Sequence, residues 1–450
     1  MIGLNKIGLN QVQLNRLRLN APFPAYGKMA GGGGSGDGFP QLPGDVTRWH
    51  FGGLTNEMMA AMDDPRIEDA DHKGRFLSFK NFAWKEGSGI SDVYPGALVF
   101  DGVDDYGTCN NFPVLTKEKG YTVVALRQWD QDFLNTTLTG GLLSTRNYST
   151  GEGVAFEKIE SSNKGYWNLG AGGIIDFAKS PFTWQTSKQY NNVGILKGDK
   201  NHGKPLCVGC GLSGGQQCGR FAIWELVFLD HDATEEELTK IKDYFVKTYP
   251  WLFPDQAWTV VGKTNEDEDR ATIANITGNG NDLVCLNLGF IEGSGYNEEG
   301  EYAGYLVTDG VDDKITSSTF EMGNDWTVIG DWELINTGKN DNAGIVKFDS
   351  IVIYNYNPIL INIKNGRNNL IPDQNTVNAI CSDGRIYSKD WKESIYNEET
   401  ESTSKNLLTI GYSGNSYTKI AFKNLAIYPT VLSKEDCIKA YNYLQTLKAK

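Results

Sequence analysis

The body of this chain is written twice, and that constrains the fold more than any other feature. Trp49 with Thr55-Asn56-Glu57 returns as Trp258 with Thr264-Asn265-Glu266. Glu86-Gly87-Ser88-Gly89 returns as Glu292-Gly293-Ser294-Gly295, and Asp101-Gly102-Val103-Asp104-Asp105 as Asp309-Gly310-Val311-Asp312-Asp313. Tyr121-Thr122-Val123-Val124 returns as Trp326-Thr327-Val328-Ile329. Leu226-Val227-Phe228 before a Thr234-led helix returns as Leu425-Ala426-Ile427 before a Ser433-led helix. Five anchors in one order, at slowly drifting spacing, mean two copies of one domain that differ in their loops.

Each copy reads as short strands separated by turns. Gly makes up 52 of 450 residues and aromatics 12%, with few helix-like runs, which favours a β-rich chain. Ala97-Leu98-Val99-Phe100 and Tyr305-Leu306-Val307 run as strands into the Asp-Gly turns. Ile351–Tyr354 and Ile359–Ile363 suit strands on either side of a Tyr356-Asn357-Pro358 turn. The runs 221–228 and 420–427 are closing strands. Thr234-Glu235-Glu236-Glu237 has capping-box spacing, with Leu238, Ile241 and Phe245 on one face. Ser433 starts the weaker equivalent, with Ile438, Tyr441 and Leu444 behind it. Pro250 and Pro254 enclose Trp251-Leu252-Phe253, a stiff apolar linker that implies packed rather than tethered domains.

These anchors resemble the concanavalin-A-like lectin/glucanase superfamily, in its laminin-G-like branch. Phe100-Asp101-Gly102-Val103-Asp104-Asp105-Tyr106 matches that branch's strand-into-turn motif almost letter for letter, and Leu432-Ser433-Lys434-Glu435-Asp436 matches its closing turn. Thr308 and Lys314 depart from the first motif, and the 233–237 segment matches the second loosely. The resemblance implies an all-β fold: two tandem concanavalin-A-like β-sandwiches (jelly rolls), each ending in a short helix. It implies a fold more than a task, because one superfamily holds lectins, hydrolases and adhesion modules. The expected layout is an arm (1–20), a Pro/Gly-rich hinge (21–48), a first sandwich (49–250), a linker (251–257) and a second sandwich (258–450).

The arm repeats the unit x-aliphatic-x-Leu-Asn four times. Its aliphatic residues (Ile2, Leu4, Ile7, Leu9, Val12, Leu14, Leu17 and Leu19) fall two apart within each unit, on one face of an extended chain. A five-residue period fits no amphipathic helix. The unit resembles the pentapeptide-repeat pattern, yet four units supply at most one solenoid coil, and about three stacked repeats are needed for stability. The apolar face therefore calls for a partner: copies of itself, a trimer for instance, or another protein. The arm carries Lys6, Arg16, Arg18 and Lys28 before the first acid, Asp37, so an acidic partner surface complements it. It is too polar for a membrane span and lacks the layout of a secretory signal, so neither membrane insertion nor export is expected.

The formal net charge is −14, although residues 1–48 hold five Lys/Arg against two Asp/Glu. An acidic body argues against nucleic-acid binding. The seven cysteines (Cys109, Cys207, Cys210, Cys218, Cys285, Cys381 and Cys437) are odd in number and sparse, so free buried thiols in a reducing cytoplasm are expected. Cys207, Cys210 and Cys218 with His202 make a weak zinc set, since the second copy has Ile410-Gly411-Tyr412-Ser413 there. The Asp-Gly-Val-Asp-Asp turns offer Ca²⁺ some oxygen ligands, but side-chain capping of a tight turn explains them more simply. No cofactor is expected. Glu266-Asp267-Glu268-Asp269 is a contiguous acidic run, unlike the alternating carboxylates of the superfamily's glucanases. Trp129, Tyr166, Trp167, Trp184, Tyr354, Tyr356, Tyr387 and Trp391 lie outside the shared anchors and are candidates for stacking on sugars. His50, His72, His202 and His231 form no motif.

An apolar arm, a glycine hinge and two lectin-like domains together resemble a bacteriophage fibre or decoration protein. The expectation is a non-enzymatic virion protein, assembled in the host cytoplasm. Its arm anchors to capsid or tail or drives oligomerisation, and its sandwiches meet host or mucosal glycans. The alternative is a bacterial glycan-binding protein or a polysaccharide-active enzyme of the same superfamily.

Overall fold

A computed structural model describes residues 37–449, apart from 115–118, 146–154, 159–163, 168–173, 177–180, 187–204, 213–215, 336–343, 349–350, 355–359, 364–366, 371–376, 396–405 and 413–415. The eight arm residues and Tyr356 therefore lie outside the described residues. The chain is all-β, and among the described residues four sheets make two sandwiches.

The closing strands organise both halves. Arg220–Leu229 lies between Thr122–Trp129 and Leu98–Asp101, with Phe182–Thr186 and Gly89–Ile90 further out, and Val46–His50 also pairs with it. Ile420–Tyr428 repeats this arrangement with Thr327–Leu334, Tyr305–Val307, Val377–Cys381, Gly295–Asn297 and Gln256–Thr259. A second sheet covers each of these: 10 strands in the first copy, 8 in the second. The expected hairpin of Ile351–Tyr354 with Leu360–Ile363 is present in the latter.

Alternation along the strands divides inside from outside. On Thr122–Trp129, Val123, Ala125 and Trp129 enter the first sandwich core, while Val124 and Leu126 face the other way. Trp49 and Trp258, the first anchors of each copy, are both fully buried in their sandwich cores. Each indole finds a carbonyl, Arg75 O at 3.2 Å and Asn281 O at 2.9 Å, as a buried N–H requires.

Much of the outward faces does not reach solvent. They meet in a third core that joins the halves, with Val124, Leu126, Trp224 and Val227 on one side and Ile329, Ala426, Tyr428 and Tyr443 on the other. The helix Glu235–Thr248 has a complete capping box between Thr234 and Glu237. The helix Lys434–Leu444 starts at Ser433, whose side chain accepts from Asp436 N. Tyr443, on this second helix, reaches the first sandwich: its hydroxyl donates to Gln128 Oε1 at 3.0 Å and its ring meets Trp224 edge-on at 6.2 Å. Pro250–Leu252 forms a 3-10 turn whose Trp251 carbonyl accepts from Tyr428 at 3.0 Å. Among the described residues no helix is long and apolar enough to cross a membrane.

One cysteine expectation fails. Cys210 and Cys218 form a disulfide. They stand directly opposite in the hairpin Cys210–Leu212 with Gln216–Cys218, with Cα atoms 4.0 Å apart, within reach of a bridge. Sequence spacing could not show that register. Cys109, Cys207, Cys285, Cys381 and Cys437 are buried thiols.

Candidate functional site

Each closing strand carries a bulge at the same place. Pairing with the neighbouring strand shifts between Ile223 and Glu225 in the first copy, and opposite Phe422 and Asn424 in the second. The extra residue is Trp224 in one and Lys423 in the other. A bulge re-aims its side chain out of the ladder, so both point to the outer face. There the copies part. In the first, Ala97, Leu126 and Trp224 are buried in the core between the sandwiches. In the second, the matching positions are Tyr305, Asp331 and Lys423, and Tyr305 and Lys423 are only partly buried.

This second face is an aromatic and carboxylate cluster. Tyr305 donates to Asp331 Oδ1 at 3.0 Å, and the Tyr441 hydroxyl faces the same carboxylate. Burial, then the Asp331 charge, pushes both phenols above their ordinary values, so both stay protonated as donors. Lys423 Nζ lies 3.9 Å from Asp331 Oδ2 and 5.5 Å from the Tyr305 ring centre. Tyr302 meets Tyr305 edge-on at 6.3 Å, and Lys389 pairs with Glu333.

Trp391 closes the cluster. It sits in the turn after Arg385–Ser388, donating its backbone N–H to Ser388 O at 2.8 Å. Its φ is 58°, a left-handed conformation for a bulky residue, which costs on the order of 1–3 kcal/mol. Its partly buried ring meets Tyr441 edge-on at 5.7 Å.

Of the other aromatic candidates, Trp129 and Tyr387 are fully buried, and Trp184, like Trp391 and Tyr441, is partly buried against the core between the sandwiches but lies away from Asp331, on a strand of the first copy. The side chains of Tyr166, Trp167 and Tyr354 lie outside the described residues. Tyr305, Asp331, Lys423 and Tyr441 were missed by sequence reasoning. The signal was available: laying the two copies side by side puts Tyr, Asp and Lys where the first has Ala, Leu and Trp.

The acidic turns cap themselves. Asp101 Oδ1 accepts from Val103 N at 2.7 Å and Asp104 N at 3.3 Å, and Asp105 Oδ2 accepts from Asp101 N at 3.0 Å. Asp309 and Asp313 repeat the pattern. Three carboxylates gather within 4.8 Å in each turn. Asp105 is fully buried, and burial pushes its carboxyl up to about 7. In the 266–269 run, Asp267 caps its own turn by accepting from Thr264 N, and Asp269 pairs with Lys263.

A further buried network had no sequence signal. Arg48 donates to Glu225 Oε2 at 3.4 Å and to Tyr244 at 3.1 Å, and it pairs with Asp37. His50 Nδ1 is 2.6 Å from Glu225 Oε1, which also accepts from Tyr249 at 2.9 Å. Its hydrogen-bonded partners are up to 199 residues apart. The second copy has Ala257 and Asn424 in place of Arg48 and Glu225.

No protein-family model matches the chain, and no curated protein matches it. Solved structures similar to it include a Trypanosoma rangeli sialidase in complex with sialic acid, at 8% identity and TM-score 0.30, covering 84% of this chain and 68% of that one. The botulinum neurotoxin serotype D binding domain matches at 9% identity and TM-score 0.29, covering 78% of this chain and 94% of that one. Its ligand-binding domain in complex with N-acetylneuraminic acid matches at 10% and 0.30, covering 80% and 94%. The expectation of a non-enzymatic protein is thereby corrected, since sialidases, one of them with 2,3-difluorosialic acid as a covalent intermediate, stand among these structures. At this level the likeness transfers no activity to this chain.

Proposed function

We propose that the chain is a glycan-binding protein and that the second sandwich binds sugar on the face of Trp391, Tyr441, Tyr305 and Asp331. One observation supports this above the rest. The positions that are apolar and buried in the first copy are Tyr305, Asp331 and Lys423 in the second, where Tyr305 and Lys423 are partly exposed. Solubility alone asks only for polar residues there. A strained, partly exposed tryptophan beside a carboxylate held by two phenols suits a ligand with an apolar face and hydroxyl donors, and a sugar ring has both. The concanavalin-A-like resemblance is compatible with this reading.

On the same reading residues 1–20 attach the protein to a partner with an acidic surface, such as a virion component, or to copies of itself. The strict five-residue apolar period and basic charge support that part.

The test is a glycan array with the full chain and with Trp391→Ala. Binding that the variant lowers about tenfold or more supports the site; silence across all glycan classes sinks the proposal. Deletion of 1–20 tests the attachment. An unchanged oligomeric state with normal partner capture would remove it.

A further inference from the structure

We infer that this face selects neutral sugars over anionic ones, an inference that rests on the glycan-binding reading. A sugar carboxylate or sulfate needs an uncommitted cation, best a forked guanidinium. Among the described residues, each lysine of the face already has an acidic neighbour. Lys423 stands by Asp331, Lys389 is paired with Glu333, and Lys392 lies 3.9 Å from Asp390. The nearby Arg385 is engaged by Asp383 and by the carbonyl of Leu432. With exposed Glu301 beside Tyr302, acids outnumber bases at this surface, and the net charge of −14 adds a repulsive field for anions.

The same groups suit a neutral ring. An ionised carboxylate has about four lone-pair positions. Tyr305 and Tyr441 fill part of that capacity at Asp331, which leaves it able to accept sugar hydroxyls. Glu333, on the same strand, offers a second acceptor. Trp391 presents an apolar surface against which ring C–H groups pack. Affinity built on hydroxyl donation and ring packing carries little net charge, so it resists salt, whereas ion pairing at an exposed site is screened over about 3 Å at 1 M salt.

The experiment uses the full chain on matched pairs of oligosaccharides, each neutral member printed beside its sialylated, sulfated or uronate counterpart, at low and high salt. The neutral member is expected to bind at least about tenfold more tightly, with under about twofold change across the salt range. Trp391→Ala should lower that binding, and so should Trp391→Gly, which suits the left-handed turn and keeps it folded. Preference for the anionic members, lost in both variants, would overturn the sugar class and leave the glycan site standing. Binding indifferent to both variants would place the sugar elsewhere and overturn site and class together. No binding to any member would remove the glycan-binding reading itself.

Discussion

Trp224 and Lys423 are the same bulge residue in two copies of one sheet, yet Trp224 is fully buried under the other sandwich and Lys423 looks out past Tyr305. The difference follows from what covers each face. Tyr443 of the second closing helix packs on Trp224, and the Trp224 indole donates to Pro95 O at 2.9 Å. Lys423 lies over the Tyr305 ring and beside Asp331. Duplication thus left the bulge residue buried between the halves in one copy and partly exposed in the other.

A reciprocal pair of variants measures this asymmetry. Trp224→Ala should destabilise the chain by about 3–5 kcal/mol, the usual range for a buried tryptophan. Lys423→Ala should cost far less, about 1 kcal/mol, since its side chain is partly exposed beside Asp331. Urea unfolding of the full chain reads both. Equal effects would mean that the two faces carry similar loads.

The Arg48–Glu225 pair invites a different test, because its charges are fully buried. Removing one partner strands the other, which costs about 3–5 kcal/mol. Glu225→Asn alone should therefore be severe. The double variant Arg48→Ala with Glu225→Asn copies the residues of the second sandwich and should cost less than the sum of the singles. A double-mutant cycle with additive values would show that the pair is not coupled.

Much of the fold was legible because the copies corroborate each other. The Asp-Gly turns, the closing strands and the two capped helices recur in register, so each anchor was read twice. The site was not legible as a place. Tyr305, Asp331, Trp391 and Tyr441 come from a strand, a second strand, a turn and a helix, and only the sheet order brings them together. Trp391 was a candidate because it lies outside the shared anchors. Trp129 and Tyr387 met the same criterion and proved to be core: Trp129 fills its own sandwich, and Tyr387 lies in the core between the sandwiches, where sequence alternation does not say which face is covered. The disulfide was hidden for a related reason: the Cys210 and Cys218 pairing depends on hairpin register.

Thiol counting checks that bridge. Denatured but unreduced protein should show five reactive thiols, those of Cys109, Cys207, Cys285, Cys381 and Cys437. Closing a loop this short stabilises by about 2–3 kcal/mol in the chain-entropy account. Cys210→Ser with Cys218→Ser should lose about that much in urea unfolding. A count of seven would mean that the hairpin holds two free thiols.

The acidic turn predicts a pH dependence with a definite sign. Burial, then the neighbouring Asp101 and Asp104 charges, holds the Asp105 carboxyl up at about 7, from an ordinary value of 3.8, with the Ser88 contact opposing. The folded chain therefore keeps a proton between those values that the unfolded chain releases. Its contribution to stability is fully present below pH about 4 and is lost as pH rises through about 7. Asp313 is shifted in the same direction for the same first cause, burial. Asp105→Asn keeps the acceptor for Asp101 N and cannot ionise. Its melting temperature should match the parent near pH 4, where Asp105 is protonated in the fold, and exceed it at pH 8. The comparison is made by thermal unfolding of both proteins in the same buffers. A difference that stays constant from pH 4 to 8 would mean that Asp105 is ionised in the fold throughout, and the buried-acid reading of the turn would fail.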